Sequence, residues 1–333
     1  MKIARTIADC RHALAALPRP LGLVPTMGAL HDGHLALVRS ARERCASVAA
    51  SLFVNPTQFG QGEDFEKYPR DEARDFALLE QAGVDVLFAP AVAEMYPAGA
   101  MTTVHIGGPL AEAFEGAQRP GHFDGVTTIV SALFAIVAPD VAYFGQKDAQ
   151  QLAVIRRFTA DLHLPVEIVA VETVREPDGL ARSSRNVYLT PEQRATAPTL
   201  CRALLTGRDV AVGRAGAVGP ADEAGRRTAT PAEIVAAATA ALAATSFAVD
   251  YVAVVDGDSF VPESSIGTRS LLIAAARLGA TRLLDNMFLA PSLAASLAPT
   301  TPGDPSVTSA TKPVSAYPAG DATNGKAGPP WQQ

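Results

Sequence analysis

The sequence contains little cysteine. Its 333 residues include three, Cys10, Cys45 and Cys201, an odd number without CxxC spacing. This count argues against a disulfide framework and against a zinc site, and it fits a reducing compartment. Each cysteine is expected to behave as a small buried apolar residue rather than as a nucleophile.

Long apolar runs and an excess of positive charge are also missing. No run is long enough to cross a bilayer, and Met1–Arg5 lacks the apolar stretch of a signal peptide. The chain has 28 Lys and Arg against 34 Asp and Glu, a formal net charge of −6. We therefore expect a cytoplasmic protein whose main partner is neither nucleic acid nor a membrane. A local basic pocket can still bind a nucleotide.

Hydrophobic residues make up 48% of the chain, which is enough for a substantial core. Short apolar runs predict strands at Leu21–Pro25, Ser47–Val54, Val84–Phe88, Val141–Phe144 and Glu167–Val171. Longer amphipathic runs between them predict helices at His34–Cys45, Asp71–Gln81, Val126–Val137 and Ala149–Leu162. Buried strands separated by helices are typical of a parallel sheet covered on both faces. We therefore expect an α/β, Rossmann-like doubly wound fold with ligands at the carboxyl ends of its strands.

The character of the sequence changes after Thr190. Helices are predicted at Glu192–Gly207 and Ala232–Thr245, an inserted loop at Arg208–Pro231, and strands at Asp250–Val255, Leu271–Ala276 and Thr281–Asn286. We expect a first domain at residues 1–182 and a smaller α+β lid domain at 183–289. Residues 290–333 are rich in Pro, Ala, Ser, Thr and Gly, which predicts a disordered C-terminal tail.

The most informative motif lies between the first of these strands and its helix. It reads Pro25, Thr26, Met27, Gly28, Ala29, Leu30, His31, Asp32, Gly33 and His34. The glycines let backbone approach a ligand, and the N-terminus of the next helix favours an anion. Two imidazoles three residues apart can donate hydrogen bonds to phosphate oxygens. The same pair also fits solvated turn residues, or metal ligands that lack a third partner.

This motif resembles the HxGH motif of the nucleotidyltransferase superfamily, and the whole string is similar to that of the pantothenate synthetase family. Four further blocks carry the resemblance in the same order and spacing. They are Phe53–Phe59 with Tyr68–Arg70, Arg119–Val126, Tyr143–Leu152 and Thr173–Asn186. Two positions depart from the family pattern: Gln146 stands where Glu is usual, and Arg182 where Met or Leu is usual.

The resemblance implies an ATP-dependent ligase, a homodimer whose first domain binds ATP and pantoate. It would condense (R)-pantoate with β-alanine through a pantoyl adenylate, using ATP as substrate with Mg²⁺ and releasing AMP and pyrophosphate. It implies catalytic roles for His34, His31, Lys147 and Arg185. It places ATP on the Pro25–His34 motif and on Gly145, Gln146, Lys147, Asp148, Val174, Arg182, Ser183, Ser184 and Arg185.

The remaining assignments concern the acid, the amine and the metal. The resemblance places pantoate and β-alanine at Gln58, Gln151, Asn55, Tyr68 and Arg119. An amide such as Gln58 both donates and accepts, which suits a substrate with hydroxyls and a carboxylate. Asp75 matches one family position near the metal, although a solvated helix carboxylate is the simpler interpretation.

Two other functions compete with the ligase. A nucleotidyltransferase of the same superfamily would explain the His31–His34 pair and Ser183–Arg185, but a phosphate acceptor would require Arg or Lys at positions 58 and 151. A catalytically silent nucleotide-binding protein would bind ATP without turnover. The departures at Gln146 and Arg182 keep this second alternative open.

Overall fold

Of the two β-sheets in the described residues, the larger has six strands, all parallel to their neighbours. A computed structural model describes residues 1–60, 62–213 and 229–290. The strands are β1 (Lys2–Ala4), β2 (Leu21–Thr26), β3 (Ser47–Leu52), β4 (Val86–Phe88), β5 (Val141–Gly145) and β6 (Glu167–Val171). Their spatial order is β1-β4-β3-β2-β5-β6. The expected α/β fold with a doubly wound parallel sheet is confirmed.

Helices cover both faces of this sheet. In chain order the helices of the protein's described part are α1 (Ile7–Leu14), α2 (Asp32–Arg44), α3 (Glu72–Gln81), α4 (Val92–Met95), α5 (Pro109–Glu112), α6 (Glu115–Gln118), α7 (His122–Val137), α8 (Ala149–Asp161), α9 (Pro191–Thr196), α10 (Thr199–Ala211) and α11 (Pro231–Ala243). Adjacent strand residues point to opposite faces. Leu23 of β2 packs in a core with Phe134 of α7, whereas Val24 packs in another with Val38 of α2 and Leu79 of α3.

The strand order places a switch point in the middle of the sheet. From β2 the chain adds β3 and β4 on one side, and later adds β5 and β6 on the other. Loops that leave β2 and β5 therefore diverge in opposite directions and leave a crevice between them. In open parallel sheets such a crevice is where ligands bind. The Pro25–His34 and Tyr143–Leu152 blocks both reach it.

A second, antiparallel sheet follows in the sequence. It consists of β7 (Ala248–Asp256), β8 (Ser270–Leu278) and β9 (Thr281–Phe288), in that order. Its own core includes Leu204 of α10, Ile234 of α11 and Leu272 of β8. The separate core agrees with a smaller α+β part, although the described residues up to Ala290 belong to one compact unit. The boundary between residues 182 and 183 stays a prediction.

Several predicted elements differ from the observed ones. The sequence analysis did not predict β1, α1 or α4–α6, each of which is eight residues long or shorter. The predicted helix Glu192–Gly207 is two helices, because Pro198 has no N–H to continue the first. Helix α10 then runs to Ala211, into the predicted inserted loop. Residues 214–228 of that loop and 291–333 of the predicted tail lie outside the described ranges.

Over the described ranges, no helix combines the length and apolar character needed to cross a lipid bilayer.

A buried ionic network joins the antiparallel sheet to helix α6. Arg282 of β9 donates two hydrogen bonds to the carboxylate of Glu115, both 2.7 Å long, and one of 2.6 Å to Asp250 of β7. The Tyr251 hydroxyl donates to the same Glu115 carboxylate at 2.7 Å. The three charged side chains are between 10% and 15% exposed. Asp250 also pairs with Arg277 at 3.4 Å, but Arg282 is the residue that binds both carboxylates, so its loss would weaken the whole network.

Replacing Arg282 by leucine should therefore destabilise the fold strongly. Removing one partner of a buried ion pair leaves uncompensated charge and costs about 3–5 kcal/mol. Arg157→Leu breaks the exposed pair with Asp161 and should cost about 1 kcal/mol or less. Urea unfolding followed by circular dichroism measures both. Equal losses for the two variants would show that the network does not stabilise the fold.

Candidate active site

A cavity of about 1040 Å³ opens at the carboxyl ends of β2 and β5. Most side chains predicted to bind ligands line it. They are Pro25, Thr26, Met27, His31, Gly33, His34, Asn55, Gln58, Tyr68, Arg119, Gly145, Lys147, Asp148, Gln151, Val174, Arg182, Ser183, Ser184 and Arg185. Those outside its lining are Gly28, Ala29, Leu30, Asp32, Gln146 and Asp75. The structure thus brings residues from all five sequence blocks to one place.

The turn between β2 and α2 is held by a carboxylate. Gly28 and Ala29 both adopt left-handed backbone, with φ of 82° and 50°, and their neighbouring amides turn toward α3. There Asp75 accepts hydrogen bonds from the N–H of Ala29 at 2.7 Å and of Leu30 at 2.9 Å. A Cβ on Gly28 would lie 3.0 Å from the same carboxylate. Glycine is needed at this position for both its conformation and its size.

This geometry does not support Asp75 as a magnesium ligand or as a solvated carboxylate. Its side chain is 1% exposed, and each of its oxygens already accepts a backbone N–H. Asp75 acts instead on the shape of the turn. Within the part of the chain that the structure describes, no three His, Cys, Asp or Glu side chains converge to hold a metal ion.

The two histidines cap helix α2. His31 is the N-cap residue, and its Nδ1 accepts the N–H of Gly33 at 3.1 Å. The Nδ1 of His34 accepts the N–H of His31 at 3.3 Å. A Cβ on Gly33 would lie 2.8 Å from the His31 ring, so the motif's second glycine makes room for the cap. Since both Nδ1 atoms accept, each ring carries its proton on Nε2.

Both imidazoles are neutral at physiological pH. Burial, then the positive charges of Lys147 and Arg182, lowers the pKa of His31 to about 4. Burial, then the adjacent His31 ring, lowers the pKa of His34 to about 3. The ring centroids are 4.1 Å apart. The site therefore offers two neutral N–H donors in the cavity, not two fixed cations.

Lys147 lies in the short 3₁₀ turn after β5, Gln146–Asp148. The turn is fastened to the antiparallel sheet, because the side-chain amide of Asn286 donates to the carbonyls of Gln146 at 3.0 Å and Lys147 at 2.8 Å. Gln146 returns a weaker bond of 3.4 Å to the Asn286 side chain. Gln146 thus contacts β9 instead of lining the cavity, so its departure from Glu does not change the charge of the cavity lining.

The Arg182–Arg185 segment lies against the β2–α2 turn that carries the histidines. Ser184 donates to the carbonyl of Ala29 at 3.1 Å, which ties this segment to the β2–α2 turn. Arg182 forms ion pairs of 3.0 Å with Asp32 and with Glu176. Arg185 binds both carboxylate oxygens of Asp64, each at 2.9 Å. Both arginines therefore have acidic partners within this chain.

Two amide side chains in the segment after β3 also line the cavity. Asn55 is 1% exposed and Gln58 8%. Asn55 donates to the Gln58 side chain at 3.2 Å and accepts the hydroxyl of Tyr96 at 2.8 Å. Arg119 binds both oxygens of Glu63 at 2.8 and 2.7 Å. Asn55 is thus largely occupied by the protein, whereas among the described residues the amide N–H of Gln58 finds just one acceptor, the thioether of Met27 at 3.0 Å.

Sequence reasoning missed four residues that the structure places at this site. Glu63 binds Arg119 and Asp64 binds Arg185. His122 contacts Arg119, and Asn286 holds the Lys147 turn. The first three lie in or between the recognised blocks, so their position was a usable signal. Asn286 is distant in sequence, and nothing in its surroundings indicates the contact.

The fold and the site together define an α/β enzyme that handles nucleotide phosphates. The crevice lies at the switch point of a doubly wound sheet, where such ligands bind. A helix N-terminus, two neutral imidazole donors and Lys147 converge on it, an arrangement suited to anionic oxygens.

The comparison with known proteins identifies the family. Residues 2–288 match the pantoate-beta-alanine ligase family. The pantothenate synthetase of Rhizorhabdus wittichii is 52% identical over 296 residues, which cover 88% of this chain and 100% of that protein. The chain therefore belongs to the pantoate-beta-alanine ligase family and joins pantoate to β-alanine to form pantothenate. This assignment favours the ligase over the nucleotidyltransferase and the silent binder.

Solved structures agree with this assignment. The pantothenate synthetase of Thermus thermophilus has a TM-score of 0.81 at 50% identity, covering 87% of this chain and 100% of that one. The pantoate-beta-alanine ligase of Francisella tularensis, crystallised with beta-gamma ATP and beta-alanine, has a TM-score of 0.69 at 29% identity. That match covers 87% of this chain and 98% of the other.

The neutral state of His34 makes stability depend on pH. Its pKa in the folded protein is about 3, below the roughly 6.5 of an unfolded chain. Between these values the unfolded state binds a proton at His34 that the folded state does not. The contribution of His34 to the free energy of unfolding is therefore complete above pH 6.5 and falls with acidification, by up to ~1.4 kcal/mol per pH unit.

The substitution His34→Asn tests this linkage. Asparagine still offers an acceptor to the N–H of His31 but does not titrate. The variant should lose less unfolding free energy than the parent between pH 7 and pH 5, measured by urea denaturation. His12→Asn, at an exposed position of α1, serves as the control. Parallel curves for the parent and His34→Asn would contradict the neutral imidazole.

Proposed function

We propose that the ligase activates (R)-pantoate as a pantoyl adenylate before β-alanine attacks. The observation that carries this proposal is the convergence of neutral Nε2–H donors from His31 and His34 with Lys147, in the same cavity as the amide of Gln58. One end of the cavity suits phosphates and the other suits a hydroxylated acid. The family relative crystallised with beta-gamma ATP and beta-alanine supports ATP as a substrate here.

The chemistry solves a leaving-group problem. A free carboxylate resists an amine because oxide would have to leave. In the first step a carboxylate oxygen of pantoate bonds to the α-phosphorus of ATP, the bond from that phosphorus to the α,β-bridging oxygen breaks, and pyrophosphate leaves. In the second step the amine of β-alanine bonds to the acyl carbon, AMP leaves with the attacking oxygen, and the nitrogen loses a proton. No covalent bond to the enzyme is required.

The phosphate end stabilises negative charge with groups that are already in place. The Nε2–H groups of His31 and His34 would donate to phosphate oxygens, and Lys147 would supply a compact positive charge as pyrophosphate leaves. The segment from Ser183 to Arg185 would close on the outer phosphates. Pro25–Leu30, Gly145–Asp148 and Val174 would form the walls around the nucleotide.

Arg185 must exchange partners for this role. Its guanidinium donates two hydrogen bonds to Asp64, and two oxygens of a phosphate can accept the same pair of N–H groups. The Asp64 contact therefore keeps the arginine at the cavity rim in an orientation that suits an anion. Arg182 would support the nucleotide through its ion pair with Asp32 at the start of α2.

The acid end would bind pantoate through Gln58 and Gln151, which can match hydroxyls and a carboxylate. Asn55 would act by orienting Gln58, since its own groups bind protein atoms. Tyr68 and Arg119 would complete the wall. β-Alanine would enter beside them after pyrophosphate has formed.

Magnesium would arrive with ATP as part of the substrate. Mg²⁺ usually keeps several waters and takes one or two carboxylates together with substrate phosphates. The donor set fits this pattern, because Asp148 lines the cavity beside Lys147 while the described residues contain no preformed cluster of metal ligands.

We also infer the cellular setting and the assembly from the family and the composition. A cytoplasmic homodimer with no nucleic-acid or membrane partner is consistent with the acidic chain and with three buried free cysteines. The smaller part, residues 183–289, would act as a lid domain that supplies Asn286 and the Ser183–Arg185 segment to the cavity of residues 1–182.

The direct test is product formation from Mg-ATP. When pantoate and β-alanine are both present, the protein should release AMP and pyrophosphate in equal amounts, together with pantothenate. Sustained turnover should require both substrates. Release of ADP and phosphate instead would contradict adenylation. Coupled enzymatic detection of AMP and pyrophosphate, with each substrate omitted in turn, measures this.

Loss of the His34 Nε2–H should slow the chemical step. His34→Asn keeps an acceptor for the N–H of His31 but has no N–H at the position of Nε2, and an oxyanion-type donor contributes roughly 10²–10³-fold to kcat. We expect kcat to fall by about that factor, with KM for ATP changing much less. His12→Asn is the matched control on the surface. An unchanged kcat would remove His34 from the mechanism.

Gln58→Leu should weaken the binding of pantoate without changing the binding of ATP. Leucine keeps most of the volume but neither donates nor accepts, so pantoate loses its polar partner. The expected result is an increase in KM for pantoate of roughly tenfold or more, consistent with a lost buried hydrogen bond of about 1.5 kcal/mol, with KM for ATP within about twofold of the parent. Equal effects on both substrates would place Gln58 elsewhere in the mechanism.

A further inference from the structure

His122 begins helix α7 in the wall of the cavity, and neither the predicted site nor the proposed mechanism uses it. The residue is 7% exposed. Its ring makes two hydrogen bonds on opposite sides, with the backbone carbonyl of Gln58 at Nδ1, 2.8 Å away, and with Nη1 of Arg119 at Nε2, 3.0 Å away. The imidazole therefore lies between two residues that we assign to the acid.

The partners fix the state of the ring. A carbonyl oxygen only accepts and a guanidinium only donates, so Nδ1 must carry the proton and Nε2 must accept. Burial, then the charge of Arg119, lowers the pKa of His122 to about 4. The ring is neutral at physiological pH and holds one tautomer, which makes it a bridge of fixed polarity between Arg119 and Gln58.

The bridge is part of a tight contact between α7 and the Asn55–Gln58 turn. Nη2 of Arg119 donates to the same Gln58 carbonyl at 3.3 Å, and the side chain of Asn55 donates to the carbonyl of Gly125 at 3.1 Å. A Cβ on Gly125 would lie 2.4 Å from the carbonyl oxygen of Thr57. The first turn of α7 therefore leaves little freedom to the backbone that carries Gln58.

We propose that His122 is a positioning residue for the acid pocket, whose imidazole orients Gln58 through its backbone carbonyl and Arg119 through its guanidinium. The inference rests on the proposed assignment of those two residues to pantoate. His122 acts through them and does not contact the reacting atoms. Loss of either hydrogen bond should weaken pantoate binding without changing the nucleotide end.

Two substitutions separate the two bonds. In His122→Asn the side-chain amide N–H can replace Nδ1 and donate to Gln58, while the acceptor for Arg119 is lost. In His122→Gln the longer side chain can place its amide oxygen near Nε2 and accept from Arg119, while the donor to Gln58 is lost. Each variant should raise KM for pantoate about tenfold and leave KM for ATP within about twofold, with kcat changed less than about threefold.

The same substitutions in an Arg119→Ala variant show which hydrogen bond causes each effect. When Arg119 is replaced by alanine, His122→Asn should cause no further increase in KM for pantoate, because the bond that it removes is already absent. His122→Gln should still raise that KM in the same background. His105→Asn, at an exposed position paired with Asp124, is the control and should behave as the parent throughout.

The outcomes test the positioning role of His122 separately from the assignment of Gln58 and Arg119 to pantoate. If Gln58→Leu and Arg119→Ala leave KM for pantoate unchanged, the acid pocket itself is misassigned. If those two raise it and both His122 variants match the parent, or raise KM for ATP equally, the positioning role is wrong. A ¹⁵N spectrum of the parent protein gives a readout independent of variant folding: pantoate should shift the His122 Nε2 resonance. Absence of that shift would also overturn the inference.

Discussion

The site depends on the carboxylate of Asp75, which holds the turn between β2 and α2. Its two oxygens bind consecutive backbone amides, and this contact sustains left-handed backbone at both Gly28 and Ala29. Alanine in that conformation is unfavourable by itself, so the turn needs additional contacts that stabilise it. Once the turn is set, His31 falls at the N-cap of α2 and His34 follows one turn later on the same side.

The electrostatic character of the site follows from that geometry. Since both histidines use Nδ1 to cap the helix, their remaining N–H groups face the cavity as neutral donors. Positive charge is supplied separately by Lys147 and by arginines that already contact acidic side chains, Arg119 with Glu63 and Arg185 with Asp64. Fixed neutral donors beside a few cations suit a reaction in which negative charge moves from one phosphate group to another.

The sequence predicted the central sheet well because buried parallel strands are continuous apolar runs separated by amphipathic helices. It also predicted which blocks meet, since loops after neighbouring parallel strands share one edge. It did not predict the role of Asp75, because a carboxylate on an amphipathic helix has the same local pattern whether it faces solvent or a turn. Contacts such as Asn286 with the Lys147 turn join residues about 140 positions apart, and periodicity carries no information about them.

The central claim is that a pantoate oxygen bonds to the α-phosphorus of ATP. Pantoate labelled with ¹⁸O in both carboxylate oxygens tests it most directly, with mass spectrometry of the products after turnover with Mg-ATP and β-alanine. The account predicts one ¹⁸O atom in AMP and one retained in the amide carbonyl of pantothenate. Unlabelled AMP, with the label in inorganic phosphate or lost to water, would contradict the adenylate and the roles derived from it.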